Sequence, residues 1–239
     1  MSTITSQERF RTLKGVFDEF TNRNLFELRS RGVFDELVSP LKVGKESNVF
    51  IAKKGTRKLI VKIYRVQNCD YKRMFEYIRQ DPRYEFLKHH RRDIIFAWTQ
   101  REFKNLLKAG RRGVSVPQPL ACRSHILVEE MIGSPALPLK DALPAHPQEF
   151  LVSLLQEMAK LHRAGLVHGD LSAFNILNHQ ERPVLIDFSQ ATLTTTPNSR
   201  ELLQRDIRNV GKFFKKLRMA LDEEKVFKMV TGEEKNEEY

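Results

Sequence analysis

Residues 168–177 read HGDLSAFNIL, and residues 186–188 read IDF. Three polar side chains stand in these strings, Asp170, Asn175 and Asp187, and apolar residues flank each of them. The apolar neighbours predict tight loops held against a core. An aspartate, an asparagine five residues later and a second aspartate after a short strand form the pattern of a phosphoryl-transfer site. The alternative is a set of turns in which the same side chains cap backbone groups.

Each of the three side chains suits one part of that chemistry. Asn175 and Asp187 supply oxygen atoms, which Mg²⁺ prefers as ligands. The metal would neutralise the phosphates as charge shifts in the transition state. Asp170 would orient an acceptor hydroxyl or water as the base, a role worth roughly 10²- to 10⁴-fold in rate.

A lysine interrupts the apolar string at residues 60–64, which reads IVKIY and has the composition of a strand. Because an unpaired ammonium there would cost several kcal/mol, Lys62 needs a carboxylate partner. Glu102, in the helix predicted from Asp93 to about Ala109, is the natural one. Such a pair positions a lysine on the α- and β-phosphates of a nucleotide. The alternative is an edge-strand lysine whose amine reaches solvent.

Residues 43–49 read VGKESNV and lie between two predicted strands. Backbone N–H groups in such a turn can face phosphate oxygens. The string has one glycine and lacks the Walker pattern, so by itself it is equally typical of an ordinary β-turn. Lys45 and the Ser47 hydroxyl could supply the donors that a glycine-rich loop lacks.

Periodicity predicts a β-rich first half after an N-terminal helix. Residues 5–31 predict that helix, which opens at a capping box at 5–8, ends at Gly32 and has a possible break at Thr21 or Asn22. A hairpin turn is expected at 54–56. The strands are expected at 49–52, at 59–64 and, split by 117–119, within 114–130.

The remaining segments predict a mobile insert, a linker and a helical second half. The polar stretch 65–92 is the expected insert, and the proline-rich stretch 133–147 is the expected linker. The acidic tail 222–239 is expected to fray. The elements expected in this half are helices at 150–161 and from 199 onward, and a short strand at 184–186.

Composition and charge limit the partners and the cellular location that the protein can be expected to have. Its 239 residues contain 41 Lys and Arg against 30 Asp and Glu, for a net charge of +11. That charge favours polyanionic partners such as RNA, a ribosome precursor or a nucleotide, although a solvated basic surface is the plain alternative. No apolar run is long enough to span a membrane, and residues 1–10 lack a secretory h-region. Cys69 and Cys122 have no metal-like spacing, so a cytoplasmic protein with free thiols is expected.

With these residues in place, the chain resembles the RIO-type atypical protein kinases, and most of all the first RIO subfamily as found in archaea. The resemblance covers roughly residues 25–218. The strings that carry it lie at 44–49, 61–65, 98–103, 113–119, 168–172, 175–176, 186–190 and 205–209.

The resemblance implies an α+β class and a trimmed protein-kinase-like, two-lobed fold. An N-terminal helical extension is expected at 1–39. An N-lobe of antiparallel β-structure, with the nucleotide-binding loop and the flexible insert, is expected at 40–132. A mainly helical C-lobe with the catalytic and metal-binding loops is expected at 133–239.

The resemblance also implies residue roles, with ATP and Mg²⁺ or Mn²⁺ as cofactors. Asp170 and Asp187 would be catalytic, and Asn175 and Asp187 would hold the metal. Asp206 would brace the catalytic loop. The residues expected to bind the nucleotide are Lys45, Ser47, Val49, Lys62, Glu102 and, at the hinge, Glu130 and Ile132.

Members of this family autophosphorylate on serine, hydrolyse ATP through a phospho-aspartate at the position of Asp187, and act in maturation of the small ribosomal subunit. A precursor of that subunit, or its RNA, is therefore the expected partner. The chain departs from the first subfamily at Gly169 and Ala173, where Ala and Glu are usual. Its GKES string at 44–47 resembles the second subfamily, but residues 1–39 are short for the winged helix of that group.

Two other functions compete with this one. A kinase-like ATPase of a tRNA-modification complex is similarly short and basic, but its phosphate loop differs and its tail is basic. A non-catalytic nucleotide- or RNA-binding module would also fit the charge, although decayed kinases usually lose one of the five central residues, all present here. Only about a dozen residues separate Asp187 from the helix expected at Ser199, so no peptide-docking activation segment is expected.

Overall fold

The computed structural model describes residues 17–67 and 69–233, and these residues form two compact units. The first unit holds the described residues up to Ile78, together with Phe86–Phe103 and Pro119–Met131. The second holds Arg79–Glu85, Lys104–Gln118 and the residues from Ile132 onward. The capping box predicted at 5–8 lies outside the described residues.

A five-stranded antiparallel sheet dominates the first unit, with the strand order β1-β2-β3-β5-β4. The predicted hairpin is confirmed, and Gly55 takes the left-handed conformation that its turn requires (φ 56°). The two strands predicted within 114–130 are not separated at 117–119. The first begins at Pro119, and the turn between the two lies at Ser124. The strands are β1 (Glu36–Val43), β2 (Ser47–Lys54), β3 (Arg57–Tyr64), β4 (Pro119–Arg123) and β5 (Ile126–Glu130).

Helix α1 (Glu19–Ser30) packs on this sheet. Asp18 caps it by accepting the Thr21 N–H, and Gly32 follows its last turn with a positive φ of 68°, as predicted. Thr21 therefore lies in the first turn rather than at a break. Leu25 shares one buried cluster with Phe50 of β2 and with residues of β1, β3 and β5. The helix therefore packs on the buried face of the sheet, and the bounds of the N-terminal extension at 1–39 stay a prediction.

The segment expected to be a mobile insert contains regular structure. Helix α2 (Tyr71–Ile78) buries Met74 and Ile78, whose spacing of four places them on one face. A 3₁₀ turn follows at Pro82–Tyr84. Helix α3 (Arg91–Arg111) begins two residues before the predicted start, and its predicted inner face, Ile95, Trp98, Glu102 and Leu106, is buried.

Three helices and two small antiparallel sheets form most of the second unit. The helices are α4 (Pro147–Arg163), α5 (Ser199–Lys216) and α6 (Glu223–Thr231). One sheet has the order β6-β8-β9 and the other pairs β7 with β10. The strands are β6 (Leu137–Pro138), β7 (Leu166–Val167), β8 (Ile176–His179), β9 (Arg182–Leu185) and β10 (Thr192–Leu193).

The fraying predicted for the tail is wrong for residues 223–231. Asp222 caps α6 by accepting two backbone N–H groups, and Val226, Phe227 and Val230 are buried where the helix packs on α4 and α5. The predicted α+β class is confirmed, with a sheet-based unit and a mainly helical one. Across residues 17–67 and 69–233, no helix combines the length and the apolar character that crossing a membrane requires.

Candidate active site

The buried lysine of β3 has the partner expected from the sequence. Lys62 Nζ lies 2.9 Å from Glu102 Oε1 of α3. Lys62 is 7 % exposed and Glu102 is 1 % exposed, so the alternative of an amine that reaches solvent is wrong. Removing one partner of a buried pair typically costs about 3–5 kcal/mol, because the other charge is left without compensation. The pair therefore fixes the amine at one place beside the sheet.

Tyr64 completes this arrangement, and the sequence reasoning missed it. Its hydroxyl donates to Glu102 Oε2, while Lys62 Nζ lies 5.1 Å from the centroid of its ring. Each oxygen of the Glu102 carboxylate is thus bonded to a different side chain of β3. The spacing of Lys62 and Tyr64 could have indicated this contact, because residues i and i+2 of a strand lie on the same face.

The predicted phosphate loop is the turn between β1 and β2. The Gly44 N–H donates to the Ser47 carbonyl at 2.9 Å, and a Cβ at Gly44 would come within 2.8 Å of that oxygen. The close approach requires glycine. Lys45 is exposed at the tip, and Ser47 and Val49 are half-buried. Phosphate binding by this turn stays a prediction.

The two predicted hinge residues fall in different units. Glu130 ends β5 in the first unit, opposite Leu59 of β3. Ile132 belongs to the second unit, where its carbonyl accepts the Ala136 N–H at 2.7 Å. Their contact with an adenine ring stays a prediction.

In the second unit, the loop that carries Asp170 is anchored on both sides by one side chain of α5. The Asp206 carboxylate, 1 % exposed, accepts the N–H groups of Gly169 and Leu171, each at 2.8 Å. Gly169 has a positive φ of 74°, which favours glycine. The expectation that Asp206 braces this loop is confirmed.

Two further residues of α5 hold the carbonyls of the same loop. Arg205 donates to the Gly169 carbonyl, and Asn209 Nδ2 donates to the Leu171 carbonyl at 3.2 Å. Burial raises the pKa of Asp206 to about 7, although the two N–H donors and Arg205 act in the opposite direction. Backbone groups on both sides of Asp170 are therefore fixed by a single helical turn.

Asn175 is hydrogen-bonded directly to Asp170. Its Nδ2 donates to the Asp170 carbonyl at 2.9 Å and to Asp170 Oδ2 at 3.2 Å. These bonds orient the amide so that Oδ1 points away from Asp170. The asparagine thus positions the Asp170 carboxylate and directs its own oxygen elsewhere.

Asp187 lies on the neighbouring segment. The Ile186 N–H donates to the Asn175 carbonyl at 3.0 Å, and the Ser189 hydroxyl donates to Asp187 Oδ1 at 2.8 Å. Asp187 itself has a φ of 63°, a conformation that few residues other than glycine, asparagine and aspartate adopt. The structure therefore brings Asp170, Asn175 and Asp187 together in one pair of loops.

This donor set fits a magnesium ion. Asn175 Oδ1 and the Asp187 carboxylate are hard oxygen donors on adjacent, hydrogen-bonded segments. Mg²⁺ is usually bound by one or two carboxylates together with substrate phosphates rather than by a full protein cage. No group of three or more His, Cys, Asp and Glu suited to a metal occurs within residues 17–67 and 69–233.

Known proteins resemble this chain in sequence and in fold. The RIO domain family matches residues 48–226. The RIO-type serine/threonine-protein kinase Rio1 of Haloferax volcanii is 38% identical over 97% of this chain and 81% of its own length. The protein of the same name from Methanocaldococcus jannaschii is 38% identical over 95% and 79%.

Solved structures share the fold. A Rio2 kinase from Chaetomium thermophilum, described as an ADP/Mg²⁺-phosphoaspartate complex, superposes with a TM-score of 0.69 at 23% identity, covering 87% of this chain and 65% of its own. The matched range spans Lys62, Glu102, Asp170, Asn175 and Asp187, and the names of the relatives favour a RIO-type kinase over the tRNA-modification alternative. The chain belongs to the RIO domain family and is a RIO-type serine/threonine-protein kinase.

Proposed function

We propose that the protein transfers the γ-phosphoryl group of ATP to a serine or threonine hydroxyl, and to water by way of Asp187, with Mg²⁺ or Mn²⁺ as cofactor. The observation that carries the proposal is the fixed position of Asp170. Asp206 anchors the backbone on both sides of it, and Asn175 bonds its carboxylate. A carboxylate held this firmly suits a base that must meet one hydroxyl in one geometry.

Each residue expected to bind the nucleotide is given one role. Lys62, held by Glu102, contacts the α- and β-phosphates. Lys45 and Ser47 contact phosphate oxygens from the β1–β2 turn, and Val49 lines the nucleotide. The backbone of Glu130 and Ile132 binds adenine.

Phosphoryl transfer to a hydroxyl needs one proton acceptor and a fixed metal. Asp170 accepts the hydroxyl proton as the oxygen attacks the γ-phosphorus, and the bond to ADP breaks. Asn175 Oδ1 and the Asp187 carboxylate would hold the metal, which would supply charge neutralisation at the phosphates. The two hydrogen bonds from Asn175 to Asp170 fix the position of the base relative to the metal ligand.

Asp187 is also proposed as a phosphate acceptor. One of its carboxylate oxygens attacks the γ-phosphorus, ADP leaves, and an acyl phosphate forms. Water then attacks the phosphorus while Asp170 accepts its proton, which releases inorganic phosphate and restores the carboxylate. Support comes from the Ser189 hydroxyl, which orients the carboxylate by binding Oδ1, and from the phosphoaspartate described for the related Rio2 kinase.

The short segment after Asp187 supports self-phosphorylation and ATP hydrolysis as the main activities. Helix α5 begins at Ser199, and β10 is the only regular element described between it and Asp187. Peptide docking platforms of protein kinases are built in this interval. Slow transfer to exogenous peptides is therefore expected.

A precursor of the small ribosomal subunit, or its RNA, is the proposed partner, and the cytoplasm the proposed location. The supporting observation is the net charge of +11, which attracts polyanions.

The decisive experiment measures phosphate release, label transfer to protein and ADP binding for the parent and for Asp170→Ala. Loss of the base should lower turnover at least about a hundredfold while ADP still binds. A hydroxylamine-labile label at Asp187 would support the acyl phosphate. Unchanged turnover in Asp170→Ala would refute the role given to Asp170.

A further inference from the structure

A partly buried ion pair lies in the segment expected to be a mobile insert, within the second unit. Asp81 is fully buried. Arg83 Nε lies 2.9 Å from Asp81 Oδ1, and Arg83 Nη2 lies 2.6 Å from Asp81 Oδ2. Two parallel charge-assisted bonds of this kind fix the plane of the guanidinium group. Nothing in the proposed mechanism uses this pair.

The guanidinium group in turn orients Asn105 of α3. Arg83 Nη2 donates to Asn105 Oδ1 at 3.0 Å. Because the oxygen is held on that side, Nδ2 faces two backbone carbonyls, Ala191 at 2.7 Å and Phe188 at 3.4 Å. Asn105 is fully buried. A flipped amide would place Oδ1 against these two carbonyls, so Arg83 selects one of the two orientations.

Those two carbonyls are the ends of the tight turn that follows Asp187. The Ala191 N–H donates to the Phe188 carbonyl at 3.2 Å, closing the turn. Ser189 lies within it and donates to Asp187 Oδ1. The position of the turn therefore sets the position of the Ser189 hydroxyl, and through it the orientation of the Asp187 carboxylate.

We infer that Asp81, Arg83 and Asn105 are positioning residues for Asp187, and that this chain of hydrogen bonds sets the affinity of its carboxylate for the nucleotide-bound metal. The inference rests on the proposed function, because it takes Asp187 as a metal ligand. Partners that orient a metal ligand typically change metal affinity or activity by about 10- to 100-fold when they are removed. It also gives residues 81–83 of the polar insert a role in the site.

The test uses the double variant Asp81→Asn/Arg83→Met, which removes the pair without leaving one buried charge alone. Titration calorimetry measures ADP affinity with and without Mg²⁺. Arg182→Met is the matched control, because Arg182 is an exposed arginine of the same unit. In the parent, Mg²⁺ should raise the affinity for ADP by some factor, and in the double variant that factor should be at least about tenfold smaller. The affinity for ADP in the absence of metal should be the same in both proteins. The control should keep the full gain.

A purely structural network would lower the melting temperature and leave the Mg²⁺-dependent gain intact, and that result would overturn the inference. Equal loss of ADP affinity with and without metal would overturn it too. If circular dichroism shows that the double variant does not fold, Asn105→Asp decides the matter. That variant keeps an acceptor for Arg83 but removes the donor to Phe188 and Ala191, and retention of the full gain would overturn the inference. A parent that shows no Mg²⁺-dependent gain would instead refute the proposed function itself.

Discussion

At the scale of single residues, the Glu102 carboxylate joins the buried polar side chains of the first unit. One oxygen binds the Lys62 ammonium and the other the Tyr64 hydroxyl. All three side chains are buried. The tyrosine therefore favours one orientation of the carboxylate.

Replacing these residues should separate charge pairing from orientation. Glu102→Gln leaves the buried Lys62 charge uncompensated, so the free energy of unfolding should fall by about 3 kcal/mol. Tyr64→Phe should remove about 1 kcal/mol or somewhat more, as expected for one hydrogen bond to a charged group, and should raise KM for ATP more than it lowers kcat. Urea denaturation and steady-state kinetics measure the two effects. A Tyr64→Phe enzyme with parental KM would show that the orientation of Glu102 is irrelevant to the nucleotide.

At the scale of elements, helix α5 determines the shape of the catalytic loop. Asp206→Asn keeps one acceptor oxygen but turns an NH₂ group toward the second backbone donor. The buried donor left without a partner should cost about 1–3 kcal/mol of stability, and kcat should fall while ADP affinity is retained. Thermal unfolding and ADP calorimetry measure this. Asn198→Ala at the start of the same helix, where no side-chain cap bond forms, is the control and should leave kcat unchanged.

The contact between α1 and the β4–β5 hairpin should depend on pH. His125 Nε2 lies 2.9 Å from Thr21 Oγ1, and burial lowers the pKa of His125 from 6.5 to about 4. Between pH 4 and pH 6.5 the unfolded chain therefore binds more protons than the folded chain. The contribution of His125 to the free energy of unfolding is fully present above about pH 6.5 and is lost as the pH falls through 4. The shift corresponds to at most about 3 kcal/mol.

Urea denaturation at several pH values tests this coupling. His125→Gln should be less stable than the parent at pH 7.5, and the difference should shrink toward pH 4. His90→Gln, at an exposed position, should follow the parent at every pH. A difference between parent and His125→Gln that does not change with pH would contradict the role given to this histidine.

Local patterns were sufficient for the elements that carry the site, but not for those that support it. The composition of residues 60–64 predicted β3, and the lysine within that apolar string predicted the Glu102 pair. Helix α6 was missed because its acidic composition masked three apolar residues that are buried only through contact with α4 and α5. Asn105 was missed for a related reason. Its role depends on carbonyls more than 80 residues away in sequence, a contact that no local periodicity reports.

At the scale of the whole molecule, charge is the property that points to a partner. A net charge of +11 should give RNA binding that weakens with salt, because each neutralised phosphate releases counterions. The logarithm of the binding constant for a structured RNA should fall linearly with the logarithm of salt concentration. Fluorescence anisotropy with labelled RNA measures the slope, and an uncharged oligonucleotide analogue is the control. A flat salt response would remove the electrostatic basis of the proposed partner.

The backbone of Asp187 affects how variants at this position should be interpreted. Its φ of 63° is unfavourable for alanine by roughly 1 kcal/mol, whereas asparagine tolerates it. An alanine there would thus relax the local chain as well as delete the carboxylate, and any loss of activity would have two causes. Asparagine keeps the bend and an oxygen for the Ser189 hydroxyl, so only the negative charge and the second oxygen are lost. Activity lost in Asp187→Asn therefore reports on chemistry rather than on chain geometry.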